Sequence, residues 1–264
     1  MGYPRREIGV HLAARVRSVG DVTSHMREIE LAGPEVPRLR FRPGAHLVVR
    51  VPVGDGHARR VYTIWGRRES VLTIRVALHD EGGPGCVWAR TVAPGDRITL
   101  EPPRSKIMLD ETAAFHLFVG DETGAVPLLS MRAALPGDSV VAGVFESAGA
   151  DDEMPGAHGV PSLPWVHRGR ASAVASRVLL RAVQDLELPP GSGAAYVAGE
   201  SDTCRLVQRH LIEQRGWSRR AIRVQPQWTP GRPGFGAGGS SDLPRTDHDS
   251  PFRRSSPNAH RPSR

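Results

Sequence analysis

Arg60-Val61-Tyr62-Thr63 and, about twenty residues later, Gly83-Pro84-Gly85-Cys86-Val87-Trp88-Ala89 decide how this chain is read. An arginine can meet a phosphate, an aromatic ring can lie against a planar heterocycle, and a hydroxyl beside that ring can approach its redox-active edge. A Gly/Pro-rich turn that opens a helix leaves backbone N–H groups able to hold a diphosphate. Either half alone arises easily in an arginine-rich sequence. In this order and at this spacing they suit a bound flavin dinucleotide.

The flanking residues indicate the fold around them. Val71 to His79 is β-branched and alternating, which predicts a strand. Arg60–Thr63 is read as the end of an earlier strand running from Arg50, with a hairpin turn at Gly54-Asp55-Gly56. Cys86 to Val92 predicts about two helical turns before Pro94-Gly95-Asp96. Arg97 to Glu101 alternates again and is expected to stop at Pro102-Pro103. Short strands with one brief helix predict a small antiparallel β-barrel with a helix over one opening.

After residue 110 the period changes. Phe115–Val119 reads as a strand ending in Gly120-Asp121-Glu122-Thr123, followed by a helix to about Leu135. Val140–Phe145 is a second strand closed by Glu146; residues 148–164 read as a loop, and Ser172–Leu186 as an amphipathic helix. Ala194–Ala198 is a third strand, with Gly199-Glu200 turning into a helix over Thr203–Arg215, and Ala221–Val224 a fourth. Alternation of this kind predicts a parallel sheet covered on both faces, whose ligand crevice lies beyond the carboxyl ends of the strands. Asp121, Thr123, Glu146, Gly199 and Glu200 are therefore expected at a dinucleotide site. Thr123 could cap its helix, and Glu146 could bond a ribose 2′-hydroxyl, which would favour NADH. A plain helix cap and a solvated strand end would account for the same two residues. No full Gly-x-Gly-x-x-Gly is present.

The chain resembles the siderophore-interacting proteins, flavin-dependent ferric-siderophore reductases of the ferredoxin-reductase-like class. The resemblance rests on Pro43-Gly44-Ala45-His46, Arg60-Val61-Tyr62-Thr63, His79 through Ala89, Pro94-Gly95-Asp96, Pro102-Pro103-Arg104, Gly120-Asp121-Glu122-Thr123, Ala198-Gly199-Glu200 and Gln227-Trp228-Thr229-Pro230-Gly231-Arg232. It runs in order over roughly residues 8 to 235. It implies an FAD-binding barrel domain over 1–110, an NAD(P)H-binding α/β domain over 111–235, and hydride transfer from NADH or NADPH to FAD. Single electrons would then pass to Fe(III) in a siderophore. Tyr62 and Thr63 would flank the flavin as the catalytic pair. Arg60, His79, Gly85, Cys86 and Val87 would hold the rest of the cofactor, and Arg232 and Arg50 would line the anionic substrate pocket. Arg59 and Arg168 are lesser candidates for that pocket, and His46 is read as a core or supporting histidine. The family pattern has Ser at Cys86, often Ala at Gly85, an aromatic residue at Gln227 and Lys at Arg232. The replacement at Gln227 puts stacking on the far side of the cofactor in question.

Composition sets outer bounds. The chain has 264 residues, a formal net charge of +7 and 5% aromatic residues, and Lys106 is its sole lysine. Scattered arginines with few aromatics argue against nucleic-acid binding, whereas a basic cleft suits anionic small molecules. No apolar run is long enough for a membrane span, and no secretory signal is read at the N-terminus. Cys86 and Cys204 show no metal spacing, no metal site is expected, and a cytoplasmic location is inferred. Residues 236–264 have too little apolar content to order and are read as a disordered tail. Oligomeric state is left open. Competing readings are a flavin reductase or electron-transfer flavoprotein with another acceptor, an intact barrel with a degenerate second domain, and a non-enzymatic basic barrel.

Overall fold

A computed structural model describes residues 11–79 and 82–232. Six strands close into an antiparallel barrel: β1 (Leu12–Thr23), β2 (Met26–Ala32), β3 (His46–Val53), β4 (Gly56–Arg68), β5 (Val71–Ala77) and β6 (Arg97–Arg104), in the order β1-β2-β5-β4-β3-β6. Strand alternation sends Leu47, Val49 and Val51 inward with Ile29, Leu31, Ile74 and Leu100. Helix α1 (Pro84–Thr91) packs against β3, β4 and β5 and adds Trp88 and Ala89 to that core. Each large apolar side chain buried this way contributes about 1.5–3 kcal/mol.

Two strands run further than the sequence indicates. β4 does not end at Thr63: its first half pairs with β3 (Gly56 to Thr63) and its second half turns to pair with β5 (Ile64 to Arg68), through an irregularity at Ile64/Gly66. This corner is what closes the barrel. β6 continues through Pro102 and Pro103 because beyond Leu100 it pairs with β3 but no longer with β1. A proline without an N–H is tolerated where one side of the strand needs no donor.

The second half forms a parallel sheet in the order β11-β10-β7-β8-β9. Its strands are β7 (Phe115–Asp121), β8 (Val141–Ser147), β9 (Trp165–His167), β10 (Gly193–Glu200) and β11 (Ile222–Trp228). The 3-residue β9 lies beyond the expected loop and is not legible as a strand. Helix α2 (Glu122–Arg132) lies between this sheet and the barrel, while α3 (Arg177–Asp185) and α4 (Ser201–Glu213) cover the other face. α3 starts five residues later than its amphipathic pattern, because Ala175 takes φ +50° and Ser176 caps the helix through its side chain. α4 begins at Ser201, two residues earlier than expected, because Glu200 is its cap.

One apolar cluster joins the two halves: Met26 and Trp65 from the barrel pack with Phe118, Leu128, Phe145, Met154 and Tyr196. A polar clasp adds to it at the β1–β2 turn, where Ser24 Oγ and His25 Nδ1 both reach Asp152 Oδ1 at 2.8 Å. The expected tail, 236–264, lies outside the described residues.

Candidate functional site

Arg60 and Tyr62 sit two apart on β4, so the pleat sends both to the same side, toward α1. Tyr62 stacks on Trp88 with ring centroids 5.8 Å apart and planes 25° from parallel. Its hydroxyl is buried without a hydrogen-bond partner, and burial pushes the phenol above its ordinary pKa. A methyl group on Gly85 would overlap that hydroxyl and press on the Arg60 stem, so glycine lets the turn close on this strand. Arg60 gives one N–H to the Arg59 carbonyl at 2.8 Å and has no carboxylate partner among the described residues.

The α1 turn itself is open. Gly83 is its N-cap and supplies no side-chain bond to the helix end. Not every N–H of the turn is free: those of Cys86 and Val87 close on the Gly83 carbonyl at 2.9 and 3.1 Å. The Cys86 thiol turns inward to the Ala77 carbonyl (3.6 Å), and the His79 N–H reaches its sulfur at 3.5 Å. Cys86 therefore ties α1 to the end of β5, and Val87 is exposed. Thr63 lies on the opposite face of β4 from Tyr62, buried, with His46 as its cross-strand neighbour. His46 is buried with Nδ1 unpartnered; burial, reinforced by Lys106 and Arg104, lowers its pKa to about 4.

The residues expected at the sheet's carboxyl ends are in place, but the chain's own donors engage them. Asp121, not Thr123, caps α2: Oδ1 accepts from the Thr123 and Gly124 N–H groups at 2.9 Å each and from the Thr123 hydroxyl at 2.6 Å. Its Oδ2 accepts from the Glu200 N–H at 2.8 Å and Trp228 Nε1 at 2.9 Å. Gly199, at φ +131°, leaves room for this carboxylate, which a side chain there would meet at 2.6 Å. Glu200 caps α4 through Asp202 and Thr203 and also accepts from the Ala175 N–H. Asp121 and Glu200 thus serve the chain's own helix ends, with Gly199 making room for the first.

Glu146 is likewise corrected. It is 0% exposed, takes bonds from Ser176 Oγ and the Leu179 N–H, and lies 3.5 Å from Arg168. Burial raises its pKa despite these partners. A carboxylate enclosed in this way cannot reach a ribose, so it gives no preference for NADH. Arg168 in turn bonds Glu122 at 2.7 Å, and Arg59 is held by both oxygens of Glu101 at 2.7 Å. Neither is a free receptor for an anion.

A cleft of about 330 Å³ opens between the two halves. From the barrel it is lined by His25, Ala77, Leu78 and His79; from the sheet by Glu122, Thr123, Asp152, Arg168 and Trp228. Trp228 is the residue that the sequence reading passed over: its indole lies 6.4 Å from the His79 ring and is fixed by Asp121. An aromatic one position after the altered Gln227 was the available signal. The Gln227 Nε2 is buried and unpartnered. His25 was also missed, as nothing in the sequence pairs it with Asp152, 127 residues away. Arg50, whose Nε is buried and unpartnered, and the exposed Arg232 do not line this cleft, so the structure does not unite them there.

These residues suit a flavin dinucleotide: a helix turn without a side-chain cap, an arginine with no carboxylate partner among the described residues, an orphaned phenol, and a glycine where a methyl would not fit. Among the described residues no cluster of three or more His, Cys, Asp and Glu could hold a metal, and no helix is long and apolar enough to cross a membrane.

Comparison with known proteins agrees with this geometry. The family model described as siderophore-interacting FAD-binding domain matches residues 45–107, and that described as siderophore-interacting protein matches 113–231. The NADPH-dependent ferric-chelate reductase of Escherichia coli (strain K12) is 25% identical over 202 residues, which cover 71% of this chain and 76% of that one. A siderophore utilization protein from T. fusca superposes with a TM-score of 0.76 at 27% identity, over 86% of this chain and 96% of the other. Phthalate dioxygenase reductase shares the fold, with a TM-score of 0.65 at 19% identity over 82% and 68% of the two chains.

Proposed function

This chain belongs to the siderophore-interacting protein family, and from that premise we propose that it is an NAD(P)H-dependent reductase that uses FAD to reduce Fe(III) held in a siderophore. The observation that carries the proposal is the α1 turn without a side-chain cap, beside an arginine that has no carboxylate partner among the described residues. Arg60 and the Gly85 turn would hold the diphosphate, and Tyr62 would flank the ring system. Thr63, buried on the other face of β4 beside His46, would reach the ring's reactive edge only if the cofactor wraps past the strand end. Bound FAD accepts hydride as a two-electron unit and can return electrons singly, which a pyridine nucleotide donor and a ferric acceptor together require.

The interdomain cleft suits the donor. Thr123, His79 and Trp228 border it, and Trp228 is fixed by Asp121. Aromatic walls there would exclude water from a transferring hydride. With Glu146 enclosed, that side chain would not oppose a 2′-phosphate, so both NADH and NADPH are proposed as donors. Arg232 and Arg50 remain proposed contacts for the anionic ferric complex, outside this cleft.

The test is a visible spectrum of the purified protein under anaerobic conditions. Yellow absorbance that bleaches on addition of NADH or NADPH, and returns on addition of a ferric siderophore with formation of Fe(II), supports the proposal. Bleaching that returns only with a protein acceptor or free flavin would assign a different acceptor. A colourless protein that takes up no added FAD would overturn it.

A further inference from the structure

At the opposite end of α2 from the interdomain cleft, a second opening of about 510 Å³ lies between the segment leading into β3, the corner of β4 and the loop carrying His158. It shares no residue with the cleft. Its volume falls in the range of small-molecule sites, roughly 300–1,000 Å³. Phe41 supplies aromatic surface, the buried Trp65 part of the floor, Ser130 a hydroxyl, and Arg40 and Arg67 the charge. Among the described residues, none that line it is acidic.

The opening is built from specific contacts. Arg67 lies over the Phe41 ring, 5.7 Å from its centroid. One of its nitrogens, Nη1, is fixed by the carbonyls of Val36, Pro37 and Leu39 at 3.2, 3.0 and 2.6 Å. Those bonds anchor the guanidinium without neutralising it. Arg75 covers one face of Trp65 at 3.4 Å from the ring centroid, so the indole is held rigidly. His158 bonds the Trp65 carbonyl at 3.1 Å, and its ring crosses Gly66 where a methyl would come within 2.6 Å. Arg40 is exposed and has no ion-pair partner among the described residues.

We propose that this opening is a binding site for a planar aromatic carboxylate of one or two rings, separate from the flavin and nucleotide sites. The ring would lie against Phe41 and Trp65, and the carboxylate would meet Arg67 and Arg40. Two uncompensated guanidinium groups beside two fixed rings select an anion with a flat apolar body over a neutral or purely polar solute. The proposal does not depend on the reductase reading, because neither FAD nor a pyridine nucleotide is needed to form the site.

The test uses 1-naphthoate and its uncharged match 1-naphthamide, titrated into the FAD-loaded full chain and followed by ligand-observed NMR. Naphthoate is expected to bind with a dissociation constant of about 1 mM or tighter. The amide should bind about tenfold more weakly, since it lacks the charge-assisted bonds. Arg40→Ala should weaken naphthoate several-fold, and Ala134→Trp, which places an indole in the opening from an exposed position, should abolish binding while leaving the flavin spectrum unchanged. Saturating NADPH should not displace the ligand. Absence of binding at 10 mM, roughly ten times the expected constant, would overturn the proposal. Equal affinity for acid and amide, indifference to Ala134→Trp, or competition by NADPH would also overturn it.

Discussion

Three helix N-termini in this molecule face possible ligands, and they are finished in two different ways. In the α/β half, α2 and α4 are capped by buried carboxylates, Asp121 and Glu200. In the barrel, α1 is capped by a glycine with no side chain to offer. A helix end exposes N–H groups that need an acceptor. Where the chain supplies that acceptor, the end is architecture, and where it leaves the position to glycine, the end stays open to an anion. The contrast is the reason for proposing α1 as the diphosphate's place, although Asp121 and Glu200 stand where a dinucleotide site is expected from topology.

The capped side should break first. Asp121→Ala removes the acceptor for two backbone N–H groups of α2, the Glu200 N–H and the Trp228 indole. Denaturant unfolding should show a loss of about 3–5 kcal/mol, since each orphaned donor costs roughly 1–3 kcal/mol before relaxation. Asp121→Asn, which keeps an acceptor oxygen, should lose markedly less. Equal stability of Asp121→Ala and the parent would remove the distinction between the two kinds of helix end.

Next in size is a pH effect centred on His46, beside Thr63. Its folded pKa of about 4 lies below the ordinary 6.5, so the unfolded chain takes up this proton first. Stability from this group is therefore complete above pH 6.5 and falls as pH drops toward 4, by up to about 3 kcal/mol. His46→Asn should flatten that slope in unfolding curves recorded across the range. The clasp at Asp152 has the same sign at lower pH. Burial works to raise its pKa, but hydrogen bonds from His25 and Ser24 outweigh it and leave it lowered.

How far the sequence carried this account depends on the kind of signal. Alternation and 3.6-residue periodicity gave the barrel, the parallel sheet and the register of Arg60, Tyr62 and Gly85, because those patterns are local. Pairing partners were not local. β4 turns a corner at Ile64, and only its change of neighbour from β3 to β5 explains why Trp65-Gly66-Arg67-Arg68 is strand. The cleft was partly legible: His79 and Thr123 stood in motifs, but Trp228 and His25 reach it through contacts with Asp121 and Asp152 far away in sequence. Asp121, Glu146 and Glu200 stand at the expected strand ends, where the chain's own donors engage all three. A carboxylate at a strand end looks the same in sequence whether it faces solvent or the chain's own donors, and burial alone separates the cases.

The smallest prediction converts the open end into a closed one. Gly83 has extended φ and ψ and empty space where a side chain would stand, so Gly83→Asp fits there as an N-cap. It should stabilise the FAD-free protein by about 0.5–1 kcal/mol. It should also weaken FAD binding, because the new carboxylate repels a diphosphate. A variant with both unchanged stability and unchanged FAD affinity would mean that α1 is not the cofactor's anchor.

The dissociation constant of FAD from Arg60→Ala, set beside that from Arg59→Ala, tests the central assignment most directly. Among the described residues Arg60 has no carboxylate partner, whereas Arg59 is held by Glu101. The account predicts a loss of about 10- to 100-fold for Arg60→Ala, equivalent to about 1.5–3 kcal/mol, and a much smaller loss for Arg59→Ala. Equal retention of FAD by Arg60→Ala and the parent would contradict it.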